Sequence, residues 1–137
     1  MKNVLFLALA TFGLSFSTNA FADQKCQNAN LNITNNYKNG KNKVKIKVLA
    51  VNYRDKNDDK WRDNDIKNTE IAHGKTETVV ETLEHVGNEE VPKMQIKFKY
   101  KESKGWSKAM WSNVQQLASK DCKANIKYNI SISCSNW

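Results

Sequence analysis

Near the end of the chain, in "CKANIKYNISISC", Cys122, Ala124, Ile126, Tyr128, Ile130, Ile132 and Cys134 take every second position, with Lys, Asn and Ser between them. A period of two puts successive side chains on opposite faces of an extended backbone, so this segment reads as a half-buried β-strand. Such a strand needs neighbours to pair with and a second layer to cover its apolar face. The same signature recurs where Met94, Ile96, Phe98 and Tyr100 alternate with Gln95, Lys97, Lys99 and Lys101. From Lys43 to Tyr53, Val44, Ile46, Val48 and Ala50 point one way and Lys45 and Lys47 the other. Leu31 and Ile33 mark a first strand, and Asn39-Gly40 is a tight-turn signal that joins it to the second as a hairpin.

Elsewhere the pattern is weaker. Thr69–Ala72 and Thr76–Val86 read as strands about a His73-Gly74 turn. The second of these mixes its faces at Val79, Val80 and Leu83, as a bulge would. The polar "RDKNDDKWRDNDIKN" reads as a connection whose Trp61 supplies a core tryptophan. Met110, Trp111, Val114, Leu117 and Ala118 recur at helical spacing behind Ser107, which predicts a short helix near 107–118. About seven short strands with Gly and Asn turns describe an all-β fold, an antiparallel β-sandwich, with a barrel as the alternative. The immunoglobulin-like arrangement is an analogy only, because Phe98 and Tyr100 stand where its second cysteine belongs.

The opening "MKNVLFLALATFGLSFSTNAFADQ" joins a basic Lys2, an apolar run and the small-x-small site at Ala20–Ala22, which is the pattern of a secretory signal peptide over 1–22. Removing these 22 residues from the 137 leaves 115, a single β-sandwich domain over 23–137. No later apolar run reaches the roughly 18 residues of a transmembrane segment. The expected location is therefore the periplasm or the extracellular space. Export also places Cys26, Cys122 and Cys134 under oxidising conditions. As ends of one strand, Cys122 and Cys134 would lie about 40 Å apart, against a limit of about 7 Å for bridged Cα atoms. The expected bridge is Cys26 with Cys122 (or Cys134), and the preferred pairing leaves Cys134 as a buried free thiol.

Loss of Lys2 takes the formal charge from +8 to +7, which suits an anionic partner. Twenty lysines stand against two arginines, and reading of nucleic-acid bases favours the planar arginine fork, so nucleic acid is not the expected partner. "HGKT" imitates the end of a phosphate-binding loop, but Thr69 stands where its first glycine belongs and a strand follows where a helix is needed.

Catalytic groups are sparse. His73 and His85 have no accompanying nucleophile motif, and Glu77, Glu81 and Glu84 read as cross-strand partners of the lysine-rich strands. Asp55, Asn57 and Asp59 open a calcium-loop pattern that fails at Lys60 and Ile66, so no metal and no cofactor are expected. The remaining candidates are binding residues: Trp106 and Trp111, which can stack on sugar rings, and the rows Lys45, Lys47, Lys97, Lys99 and Lys101. Together these predict an exported, non-enzymatic binding module with an anionic glycan or protein partner in or near the cell envelope. A membrane-active toxin or adhesin, and an inhibitor or immunity protein of a hydrolase, are the alternatives.

Overall fold

The computed structural model describes residues 26–54, 60–84, 93–117 and 124–134. The elements are β1 (Cys26–Asn36), β2 (Lys38–Asn39), β3 (Asn42–Lys43), β4 (Ile46–Arg54), β5 (Trp61–Ile71), β6 (Thr76–Leu83), β7 (Lys93–Glu102), β8 (Gly105–Trp106), β9 (Met110–Trp111), β10 (Gln115–Gln116) and β11 (Lys127–Ser133). Six of these strands are long and five are two-residue pairings, so the expected all-β class holds. The segments proposed as a signal peptide (1–22) and as a calcium-loop opening (Asp55, Asn57, Asp59) lie outside the described residues.

Two sheets face each other. One has the order β11-β1-β6 and the other β10-β7-β4-β5, with β8 and β9 also on β7. Pairing is antiparallel except between β1 and β11, which run parallel. The inner faces meet in one core: Leu31 and Ile33 of β1, Val79 and Leu83 of β6, and Tyr128, Ile130 and Ile132 of β11 lie against Ile46, Val48, Val51 and Tyr53 of β4 and Met94, Ile96 and Phe98 of β7. The alternating apolar positions of β7 and β11 are therefore the buried ones. Side chains tie both outer edges of the three-stranded sheet to the second sheet. Gln115 of β10 donates its amide to the Ser131 carbonyl of β11 and accepts the Ser131 N–H at 3.0 Å. Asn64 of β5 donates to the Thr82 carbonyl of β6 at 3.0 Å.

Several expectations need correction. No helix forms among the described residues of 107–118. The chain runs extended along the β7 edge as β9 and β10, because ladder bonds to β7 are available there and a helix would forgo them. The polar stretch after Lys60 is the strand β5, eleven residues long, held by pairing to β4 rather than by its own apolar content. Trp61 starts this edge strand and is 39% exposed, so it is not a core tryptophan. The face assignment of β4 breaks at a register shift between Val48 and Ala50, which moves Val51 and Tyr53 onto the core side. The turn at Asn39-Gly40 exists, with Gly40 at φ +61, but it closes only the small β2–β3 ribbon. The chain changes sheets across it, so β1 and β4 are not a hairpin. Gly74, at φ +74, serves the second turn as expected.

Asn35 organises this end of the sandwich. Fully buried, it donates both side-chain N–H groups, to Val44 O at 2.9 Å and Ile71 O at 2.8 Å, and accepts Tyr37 N–H at 2.9 Å. Its backbone donates to Lys75 O and accepts from Gly74 N–H. One side chain thus joins the exits of β1 and β5 to the entry of β4. It also fixes where Tyr37 goes.

A lysine and tryptophan face beside an aromatic cleft

The outer face of the second sheet is built by the alternation of β7. With Met94, Ile96 and Phe98 turned inward, Lys97, Lys99 and Lys101 turn out. β4 adds to the same face: Lys47 is directly opposite Lys99, and the Lys101 N–H donates to the Lys45 carbonyl at 2.8 Å. The five lysines named from the sequence therefore share one surface. Glu70 of β5 meets its border, 3.2 Å from Lys45 and 3.5 Å from Lys47. The hydrogen bond from Lys45 holds the Glu70 carboxyl below its usual pKa against the opposing effect of desolvation, with the two ammonium charges adding to the lowering. Lys97, Lys99 and Lys101 have no ion pair among the described residues.

Trp106 and Trp111 stand along the β7 edge of this face, outside the core cluster. The Lys47 and Lys101 ammonium groups lie over the Trp106 ring, 4.3 and 5.3 Å from its centroid, and Lys97 lies 5.6 Å from that of Trp111. Each tryptophan precedes a serine that grips β7 in the same way. Ser107 donates its N–H to Tyr100 O at 2.9 Å and accepts Tyr100 N–H on Oγ at 3.0 Å. Ser112 does the same with Ile96, at 2.8 and 2.9 Å. Both hydroxyls then donate to the next residue's carbonyl. The Trp-Ser pair repeated at a spacing of five is visible in the sequence and went unread there. It is the local rule that presents both rings outward.

Trp111 also borders a cleft of about 370 Å³ between the β2–β3 ribbon, β9 and the end of β11. Tyr37, Phe98, Met110 and Trp111 give it an apolar lining, and Lys38, Asn39, Asn113, Ser133 and Cys134 give it polar groups. Tyr37 packs edge-on to Phe98 with centroids 5.1 Å apart, and its hydroxyl points at Met110 Sδ, 3.9 Å away. Burial, followed by the neighbouring Cys134 and Tyr100, raises the Tyr37 pKa. Cys134 carries a free thiol, exposed rather than buried as expected, because the chain has left the apolar alternation of β11 by that point. Its sulfur bonds to both backbone groups of Lys38.

The other candidates are dispersed. His73 sits in the Gly74 turn with Nδ1 3.0 Å from Tyr37 O, and His85 lies outside the described residues. Glu77 and Glu81 belong to β6, which pairs with β1, so these two are not cross-strand partners of the lysine strands. Burial raises the pKa of Glu81, with hydrogen bonding to Thr82 opposing it. Among the described residues no group of three or more His, Cys, Asp or Glu side chains is placed to hold a metal, and no helix is long and apolar enough to cross a membrane.

No protein-family model matches the chain, and neither a curated protein nor a solved structure matches it.

Proposed function

We propose that the chain is an exported binding module whose lysine and tryptophan face holds an anionic glycan of the cell envelope. The observation that carries this reading is the crowding of Lys47, Lys97, Lys99 and Lys101 on one face, all but Lys99 lying over a tryptophan ring, with Glu70 engaging only its border. Lys47 and Lys99 stand directly opposite each other, a like-charge pairing that costs stability and that Glu70 offsets from the Lys47 side only. The rings beneath the ammonium groups restrict lysine side chains that would otherwise lose rotamer freedom on binding. Carboxylate or sulfate groups along a polysaccharide are suited to this row, and the indole rings of Trp106 and Trp111 suit the C–H faces of its sugars, which stack on aromatic π-faces.

Export belongs to the same reading, through the signal-peptide pattern over 1–22. So does a disulfide between Cys26 and Cys122. It is supported by the complete burial of Cys26 in the core and by Cys134 being free and exposed; Cys122 itself lies outside the described residues.

The test is retention on immobilised heparin or lipopolysaccharide across a salt gradient. Exposed charges are screened over about 10 Å at 0.1 M salt, so retention should fall steeply as salt rises. A Lys97→Glu/Lys99→Glu variant should not be retained. Retention indifferent both to salt and to this variant would overturn the reading.

A further inference from the structure

We propose that the cleft beside Trp111 is a subsite that takes one ring of the acidic polysaccharide whose flanking residues lie on the lysine face. The inference rests on the binding reading above and adds where, and by what groups, a sugar is recognised rather than a charge alone.

The first ground is continuity. Trp111 borders the cleft, and its ring lies on the lysine face under the Lys97 ammonium, so a chain crossing the lysine row reaches the cleft at this residue. The second is size, since about 370 Å³ falls within the ~300–1,000 Å³ of small-molecule sites and is small enough to select a single ring over a branched segment. The third is chemistry. A pyranose presents apolar C–H faces and a rim of hydroxyls, and the cleft offers the complement: Trp111 and Met110 as apolar wall, with polar groups above it. Among the described residues, the side-chain amides of Asn39 and Asn113 and the Ser133 hydroxyl make no hydrogen bond within the protein, so their donors and acceptors remain available to ligand hydroxyls. Lys38 adds the positive charge that suits a carboxylate or sulfate on the bound ring.

The site is also organised before any ligand arrives. Tyr37, which forms its inner wall, is positioned by the Asn35 acceptor on its N–H and by contacts with Phe98 and Tyr100. Ser112 fixes Trp111 and Asn113 on either side of itself through its two bonds to Ile96. A wall held in place in this way spends little binding energy on ordering.

Cys134 supplies a reporter, being a free, exposed thiol on the cleft wall. The experiment measures its alkylation by iodoacetamide, located by peptide mass spectrometry, with a heparin-derived tetrasaccharide or with inorganic polyphosphate present at ten times its Kd. The tetrasaccharide is expected to slow alkylation about tenfold by occupancy. Polyphosphate, which binds by charge and has no ring to seat, is expected to leave the rate within about twofold of that of the free protein. An Asn39→Ala/Asn113→Ala variant should bind the tetrasaccharide about tenfold more weakly, a loss of about 1.4 kcal/mol, with polyphosphate affinity unchanged. A tetrasaccharide that binds without slowing Cys134, or that binds the double variant equally well, overturns the cleft inference and leaves the lysine-face reading standing. Failure of both probes to bind overturns both.

Discussion

Replacing Asn35 should destabilise the protein more than replacing any other polar residue described above, and the structure gives the size of the effect. Asn35→Ala removes three hydrogen bonds: to Ile71 O in a buried setting, and to Val44 O and Tyr37 N in part-buried ones. Leaving the buried carbonyl without a partner costs about 1–3 kcal/mol. The two part-buried groups can regain water, so each costs nearer a net bond, about 0.5–1.5 kcal/mol. The total is about 2–6 kcal/mol, a large share of the roughly 5–15 kcal/mol that holds a domain folded. In urea unfolding, with m near 2 kcal/mol/M, a loss in the middle of that range lowers the midpoint by about 2 M. Asn35→Asp keeps the shape but turns a donor of two bonds into an acceptor facing two carbonyls. At neutral pH it should be less stable than Asn35→Ala. Burial beside carbonyls raises the folded pKa of the new carboxyl above its unfolded value of about 3.9. Between those two values the unfolded chain binds fewer protons than the folded one, so the variant loses stability as pH rises through that window and recovers it on acidification. Unfolding of Asn35→Ala within about 0.5 kcal/mol of the parent, or an Asn35→Asp variant that matches the parent at pH 7 and gains nothing in acid, would contradict this role for Asn35.

The serine grips make a second stability prediction. Ser112→Ala leaves the Ile96 N–H without its buried acceptor and should cost about 1–3 kcal/mol, while Ser107→Ala, at the part-buried Tyr100, should cost less; equal or reversed effects in urea would contradict the assignment. Tyr53 and Tyr128 have pKa values raised by burial to about 12. Their unfolded phenols ionise near 10, so folding stability should fall as pH climbs from about 10 towards 12. Absorbance at 295 nm should show two phenols ionising near pH 12 in the folded protein. Lys97→Glu/Lys99→Glu should unfold within about 0.5 kcal/mol of the parent, because both side chains project from the core, and a loss several times larger would give them a structural role. Native, unreduced protein should incorporate one alkyl group, at Cys134; uptake at all three cysteines would exclude the Cys26–Cys122 bridge.

The sequence was most legible where a strand has one wet face and one dry face. β7 and β11 declare themselves because Met94, Ile96, Phe98, Tyr128, Ile130 and Ile132 must all turn inward, and the lysine row follows from the same parity. β5 was illegible for the opposite reason. It is an edge strand with only Ile66 and Ile71 in the core, and its backbone pairing to β4 leaves no trace in side-chain hydrophobicity. The segment after Gly105 misled because Met110, Trp111, Val114 and Leu117 repeat at three and four without packing as a helix face: Val114 is 46% exposed, while Ser112 is buried. Recognising the Trp-Ser repeat would have reversed that reading. The cleft could not be read at all, since Tyr37, Met110 and Cys134 are brought together only when the chain changes sheets at Gly40. Asn35 was hidden among neighbouring asparagines that lie on the surface, as Asn36 does.

The most direct measurement is the perturbation of the tryptophan indole N–H resonances and of the β7 amides in ¹⁵N-labelled protein on titration with an acidic oligosaccharide. Trp106, Trp111 and the amides of residues 97–101 are expected to shift together along one saturating curve, while Trp61, on the far edge strand of the same sheet, stays still. Shifts confined to Trp61 and β5, or saturation with no change at Trp106 and Trp111, would contradict the binding reading.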